Sequence, residues 1–250
     1  MSGHSHWSKI KRSKATTDAK RGREWSKLAR RVIVAAKGGG GNPDENLQLR
    51  YAIDECRAAS MPRDTIQNAI KKGTGELGAQ SYERIMYEGH GPGGVAVMVD
   101  CLTDNRSRTA PEMRKIFERA GGQLGAAGGV AWMFTQKGAF LVAAAGLDED
   151  RLMEIALDAG ADDVKHEGDS FEITCEPTKF TTVRAALEKA ELPIESSQIG
   201  MVPSNTVSVG EDKAHQVMGL MEALEDHEDV QNVYANFDIP QDVLAKLEGK

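Results

Sequence analysis

Aromatic residues are scarce in this chain: Phe, Trp and Tyr together make up 5% of 250 positions. A core must therefore rest on Val, Ile, Leu, Met and Ala, and little aromatic surface is left for stacking unpaired bases, which counts against a reader of single-stranded nucleic acid. The three cysteines, Cys56, Cys101 and Cys175, are odd in number and far apart. That spacing fits neither a disulfide framework nor a zinc site and suits reduced core thiols. No run approaches the roughly eighteen apolar residues of a membrane helix, and the start lacks a signal-peptide hydrophobic stretch, so a cytoplasmic protein with no membrane partner is expected. There is no Gly-x-Ser-x-Gly elbow, and none of the six His falls in a nucleophile–base setting. The expectation is a protein that is not an enzyme, with no catalytic residue, no cofactor, no bound metal and no small-molecule substrate.

What the chain does have is a charge asymmetry. Residues 1–37 hold eleven Lys and Arg against two acids, a local charge of +9, whereas the whole chain carries −7, so residues 38–250 carry −16. A basic head on an acidic body suggests a polyanion met by one end only. The nucleic-acid-binding candidates are Lys9, Lys11, Arg12, Lys14, Lys20, Arg21, Arg23, Lys27, Arg30 and Arg31.

Residues 1–15 show no apolar period and read as a mobile arm. From Thr16 or Thr17 the spacing of Trp25, Leu28, Ala29, Val32 and Ala36 predicts a helix, stopped by the run Gly38 to Gly41. Asn42, Pro43, Asp44 and Glu45 read as the start of a second helix, and Pro62 and Asp64 open a third that Lys71, Lys72 and Gly73 close. Residues 1–72 thus form an expected basic helical domain, with a Gly-rich linker at 73–80. Strands follow at Ile85 to Glu88, Val95 to Leu102 and Val130 to Phe134, with a helix at Arg106 to Ala120. Residues 137–203 then spell βαββαβ, the ferredoxin-like order. The strand Thr206 to Val209, the helix Glu211 to Asp226 and the strand Val230 to Ala235 have no sheet of their own. They are expected to return to the first one, giving a discontinuous α/β domain of residues 81–136 plus 204–250 around the insertion. The fold class is α+β in three domains.

Several motifs have two readings. Gly38 to Gly41 lacks the preceding strand and the Lys-Ser or Lys-Thr of a phosphate loop and reads as a linker. Gly89 to Gly94 reads as a hairpin turn or as bare amides around a phosphate. Arg106 and Arg108 stand at a helix start, where cations are disfavoured, so they either answer acids such as Asp100 and Asp104 or hold an external anion. Gly91, Gly93, Gly94, Arg106 and Arg108 are therefore the candidates for a second anion site. Asp100 and Asp104 also admit a magnesium-dependent nuclease, and His4 with His6 a metal pair, each without the further ligands such sites need.

The opening Gly3-His4-Ser5-His6-Trp7, the helix end Ala35-Ala36-Lys37, the stretches Met61 to Asp64 and Ile70 to Gly73, the turn Tyr87 to Gly94 and the run Thr103 to Thr109 together resemble the YebC/PmpR family. The match runs in order from Met1 to about Phe134 and continues in layout beyond. The His6 position is often Lys in that family. The resemblance implies a helical N-terminal domain and two α/β domains, one inserted in the other. It further implies a DNA-binding transcriptional regulator or, as in the mitochondrial branch and some bacterial members, a translation factor on the ribosome that meets ribosomal RNA, for example at proline-rich stretches. It implies no catalytic residue and no cofactor.

Overall fold

The structure is a computed structural model and describes residues 18–78, 81–240 and 243. The expected arm, with Lys9, Lys11, Arg12 and Lys14, lies outside the described residues. Helix α1 (Asp18–Gly39) buries Leu28, Val32 and Ala36 of the predicted stripe, leaves its Trp25 and Ala29 half-buried, and adds Ile33, which the spacing did not include. It packs with α2 (Leu47–Ala58) and α3 (Arg63–Thr74) around Leu49, Ile53, Cys56, Met61, Ile66 and Ile70.

Asn42 does not open α2, because its Oδ1 accepts from Asp44 N at 3.1 Å and closes only a turn. The cap is Asn46, whose Oδ1 accepts from Leu49 N at 3.1 Å. Its Nδ2 donates to Ala35 O at 2.8 Å and Gly40 O at 2.9 Å, so one buried amide satisfies the end of α1 and the start of α2 together. Gly73 does not end α3 either. A Cβ there would lie 2.6 Å from Ile33 O, so the missing side chain lets α3 approach α1, and the helix ends instead at Gly75 with φ 87°.

Strands β1 (Glu83–His90) and β2 (Ala96–Thr103) pair antiparallel from Glu83↔Thr103 to His90↔Ala96. Every residue of β2 is buried, which is why its sequence is a nearly unbroken apolar run rather than an alternation. Helix α4 (Arg106–Arg119) follows, burying Met113 and Phe117, and β3 (Gln123–Leu124) pairs with β1. The expected strand at Val130 to Phe134 is not formed: Ala131–Met133 is a turn of 3-10 helix, and β4 (Phe134–Ala143) starts where that strand was to end.

From β4 the βαββαβ order appears as read: α5 (Glu149–Asp158), β5 (Ala161–Glu167), β6 (Ser170–Cys175), α6 (Phe180–Lys189) and β7 (Ile194–Pro203). The sheet order β5-β6-β4-β7, antiparallel throughout, is that of a ferredoxin-like domain. Phe140, Val142, Phe171 and Ile173 from the strands meet Leu152, Ala156, Val183 and Leu187 from the helices in its core. The ladder between β4 and β7 runs from Phe134↔Pro203 to Val142↔Ile194, its register shifting only between Leu141 and Val142, so the junction expected between residues 136 and 137 falls inside a strand.

The last elements divide. Strand β8 (Val207–Ser208) does not return to the first sheet but pairs in parallel with β10 (Phe237–Asp238). After α7 (Glu211–Glu225), β9 (Val230–Ala235) does return, lying beside β2 in the order β3-β1-β2-β9. The ferredoxin-like part is therefore inserted in the chain of the other α/β domain. By contact the described chain forms two compact units, residues 18–129 with 212–233 and residues 130–211 with 234–240 and 243.

Candidate nucleic-acid interface

Arg23, Lys27, Arg30 and Arg31 recur at steps of four, three and one along α1, which sets them on one side of the helix, opposite the buried stripe. Within the same compact unit that side meets the segment that ends α7 and leads into β9. Arg23 Nη2 lies 3.2 Å from Asp226 Oδ1. Lys27 Nζ donates to the Glu225 carbonyl, and Arg30 Nη1 to the Glu228 carbonyl. Arg30 Nη2 is 3.2 Å from Glu228 Oε2 and 3.3 Å from Asp229 Oδ1. The Arg30 guanidinium also sits 5.7 Å from the centre of the Tyr82 ring. Arg31 donates to Gln231 Oε1 at 3.0 Å and to Glu55 Oε2 at 2.9 Å.

Four of the ten candidate cations are thus engaged inside the protein. Arg21 is exposed on α1, and Lys20 belongs to its first turn. The acidic partners were missed in the sequence, although a signal was present: Glu222, Glu225, Asp226, Glu228 and Asp229 place five acids in eight positions just before a strand.

Asp229 is the centre of this contact. Leu102 N donates to its carbonyl at 2.8 Å, which holds the loop at the end of β2, beside the start of α4. There Arg108 Nη2 reaches Asp229 Oδ2 at 2.8 Å and the Thr109 hydroxyl donates to the same oxygen at 2.7 Å. The residue is wholly buried. Among the described residues its Oδ1 has no hydrogen-bond donor, so the approach of Arg30 to it is a charge contact alone. Burial pushes the Asp229 carboxyl up. The hydrogen bonds from Arg108 and Thr109 and the charges of Arg30 and Arg108 outweigh burial and hold it below the ordinary carboxylate range. The same bond to Asp229 pushes the Arg108 guanidinium further up.

The two readings of Arg106 and Arg108 therefore part. Arg108 answers acids: Asp229, and Asp104 at 3.1 Å. Arg106 is exposed and makes no hydrogen bond or ion pair with a described residue. The glycines proposed to share an anion with these arginines are elsewhere. Gly91, Gly93 and Gly94 precede β2 while the arginines follow it, and eight residues at about 3.3 Å each set them roughly 26 Å apart. They make the β1–β2 turn, with Gly91 N donating to Val95 O at 2.7 Å and Gly93 and Gly94 at φ 74° and 79°. The second anion site is not assembled.

Asp100 and Asp104, the candidates for a nuclease, are each matched by an arginine. Asp100 is gripped by Arg84 at 2.7 and 2.9 Å and receives Asn232 Nδ2 at 3.2 Å. Glu112, His227 and Asp229 bring possible metal-binding atoms within 4.8 Å of one another. Apart from Asp229 Oδ1, which faces Arg30, their atoms have bonds of their own, however. His227 Nδ1 accepts from Asp229 N at 3.1 Å, which assigns the proton to Nε2, the atom facing Glu112 Oε2 at 3.0 Å. Two guanidiniums already neutralise Asp229, so a further cation would meet repulsion. Burial pushes the thiol of Cys56 up to about 11 and that of Cys101 up to about 12, and it raises Cys175 as well, keeping all three protonated.

Fold and site together define a three-domain α/β protein whose helical N-terminal domain carries a row of basic side chains. Residues 5–76 match the model of the TACO1/YebC protein N-terminal domain, and residues 82–237 that of the TACO1/YebC second and third domain. The chain belongs to the TACO1/YebC family. A protein of Syntrophobacter fumaroxidans is 53% identical over 248 residues, covering 99% of this chain and 100% of its own. One of Pelotomaculum thermopropionicum is 54% identical over 241 residues, covering 96% and 99%. Both carry the name "Probable transcriptional regulatory protein". The crystal structure of a conserved hypothetical protein from Aquifex aeolicus superposes with a TM-score of 0.82 at 46% identity, over 94% of this chain and 98% of that one. Among the described residues no helix is long and apolar enough to cross a membrane.

Proposed function

We propose that this chain is a non-enzymatic regulator of gene expression that acts in the cytoplasm by binding DNA through its basic N-terminal residues. The observation that carries this reading is the separation of charge, +9 in residues 1–37 against −16 in the rest. The names of its relatives agree with it. With four to six phosphates contacted, the logarithm of duplex affinity should fall with the logarithm of salt concentration at a slope of roughly −4 to −5. A slope near zero would refute electrostatic binding by the head.

A second reading, a translation factor that binds ribosomal RNA, is favoured by one feature of the site. A helix that reads a major groove presents its polar side chains to base edges, whereas the Arg23, Lys27, Arg30 and Arg31 row of α1 is turned onto the protein's own acidic segment. Duplex discrimination is therefore expected below roughly a thousandfold, the lower end for specific DNA-binding proteins. Competition between an operator and scrambled DNA at physiological salt, with sedimentation of lysate on sucrose gradients, separates the two. Discrimination above that level supports transcription. Weak discrimination with co-sedimentation on ribosomes, lost when Lys9, Lys11, Arg12 and Lys14 become Ala, supports translation.

A further inference from the structure

We propose that the acidic segment Glu225 to Asp229 is an internal stand-in for a nucleic-acid backbone. It occupies the basic row of α1 and is displaced from it when a duplex binds. The proposal rests on the reading of the chain as a nucleic-acid-binding protein and says where on the described surface the phosphates go and what they must replace.

Three observations carry it. The segment supplies four acids in five residues, and its side-chain and carbonyl oxygens face the basic row from Arg23 to Arg30. These oxygens are the only groups with which Arg23 and Arg30 form ion pairs among the described residues. The spacing fits, since Arg23 and Arg30 are seven residues apart, about 10.5 Å along the helix, which matches the axial rise of roughly three phosphates of one duplex strand. Finally, the contact is graded in burial. Arg23 and Asp226 keep 39% and 47% of their side-chain surface and Glu228 keeps 60%, while Asp229 keeps none. The Arg23–Asp226 pair is exposed on both sides and such pairs are worth at most about a fivefold factor. Arg30 keeps only 12% of its surface, but its partner Glu228 reaches water, so phosphates of a polyanion can take the places of Asp226 and Glu228. Asp229, clamped by Arg108 and Thr109, stays as the pivot.

The test uses the full chain and a labelled DNA duplex of about 20 base pairs, two helical turns. Binding is measured at about 0.1 M salt, where screening still leaves charge contacts effective. D226N/E228Q is compared with wild type and with E154Q/D158N, which removes the same charge from exposed positions of α5 in the other unit. D226N/E228Q should bind about fivefold tighter than both. E228Q alone, at the most exposed of these positions, should show about half of that gain on a logarithmic scale and guards against a folding defect in the double variant. Equal gains in D226N/E228Q and E154Q/D158N would reduce the effect to net charge and overturn the proposal. So would binding by wild type that D226N/E228Q leaves unchanged or weakens, and in both cases the reading as a nucleic-acid-binding protein survives. Absence of binding by every form would overturn that reading, and this proposal with it.

Discussion

Replacing Asp229 by Asn should destabilise the protein more than any other single change of charge in the described residues. Asn has nearly the same shape and can still accept from the Thr109 hydroxyl, now 2.7 Å from Oδ2. What is lost is the negative charge between Arg108, 2.8 Å away, and Arg30, 3.3 Å away. Removing one partner of a buried pair costs about 3–5 kcal/mol, because the other charge stays desolvated. The lower end applies here, since the Arg108 side chain keeps 37% of its surface and regains water, while Arg30, at 12%, regains little. With about 3 kcal/mol lost, and a shift of about 2–4 °C per kcal/mol for a chain of this size, Tm should fall by roughly 6–12 °C. Circular dichroism melts at neutral pH measure it. R108Q should lose part of the same free energy, and R108Q/D229N should cost less than the two single changes summed, because they share one interaction. A fall in Tm of under about 2 °C for D229N, or strict additivity with R108Q, would show that the cluster is not the tie between α1 and α4 inferred from its geometry.

Acid should act through the same residue. The folded-state pKa of Asp229 is depressed, so its contribution is present in full above the unfolded value of about 4 and is lost as pH falls through the folded value beneath it. Melts between neutrality and pH 5 should therefore show no loss traceable to Asp229, and the difference between wild type and D229N should shrink only below about pH 4. At Asn46, Asp should not substitute as it does at an ordinary helix cap. N46D keeps the acceptor for Leu49 N but loses the donor to Ala35 and Gly40 and buries a charge. It should cost about 1–3 kcal/mol in denaturant unfolding, and equality with wild type would show that the donor contributes nothing.

The parts of the fold legible in the sequence were those with local causes. The apolar stripe of α1, from Leu28 to Ala36, and the βαββαβ order after residue 137 follow from periods of 3.6 and 2 that neighbouring residues impose on one another. The order of charges along the chain also separated the basic head from the acidic body, because counting charge over a stretch of sequence needs no knowledge of where it sits in space.

Tertiary structure decided what depends on residues far apart in the chain. Asn42, followed by Pro43 and two acids, is the cap read from the sequence, yet Asn46 opens α2, where Ala35 O and Gly40 O come within reach of the side chain. Ala131–Met133 turns instead of extending, and β4 starts at Phe134, because the ladder to β7 begins at Phe134↔Pro203. The basic row of α1 has the spacing of a solvated face, yet Arg30 meets Glu228 and Asp229 from a segment almost two hundred residues later, brought there as β9 returns beside β2. A helical period fixes which side a cation faces. Only the closure of the distant sheet fixes what it faces, because ion pairing depends on distance in space and has no period along the chain.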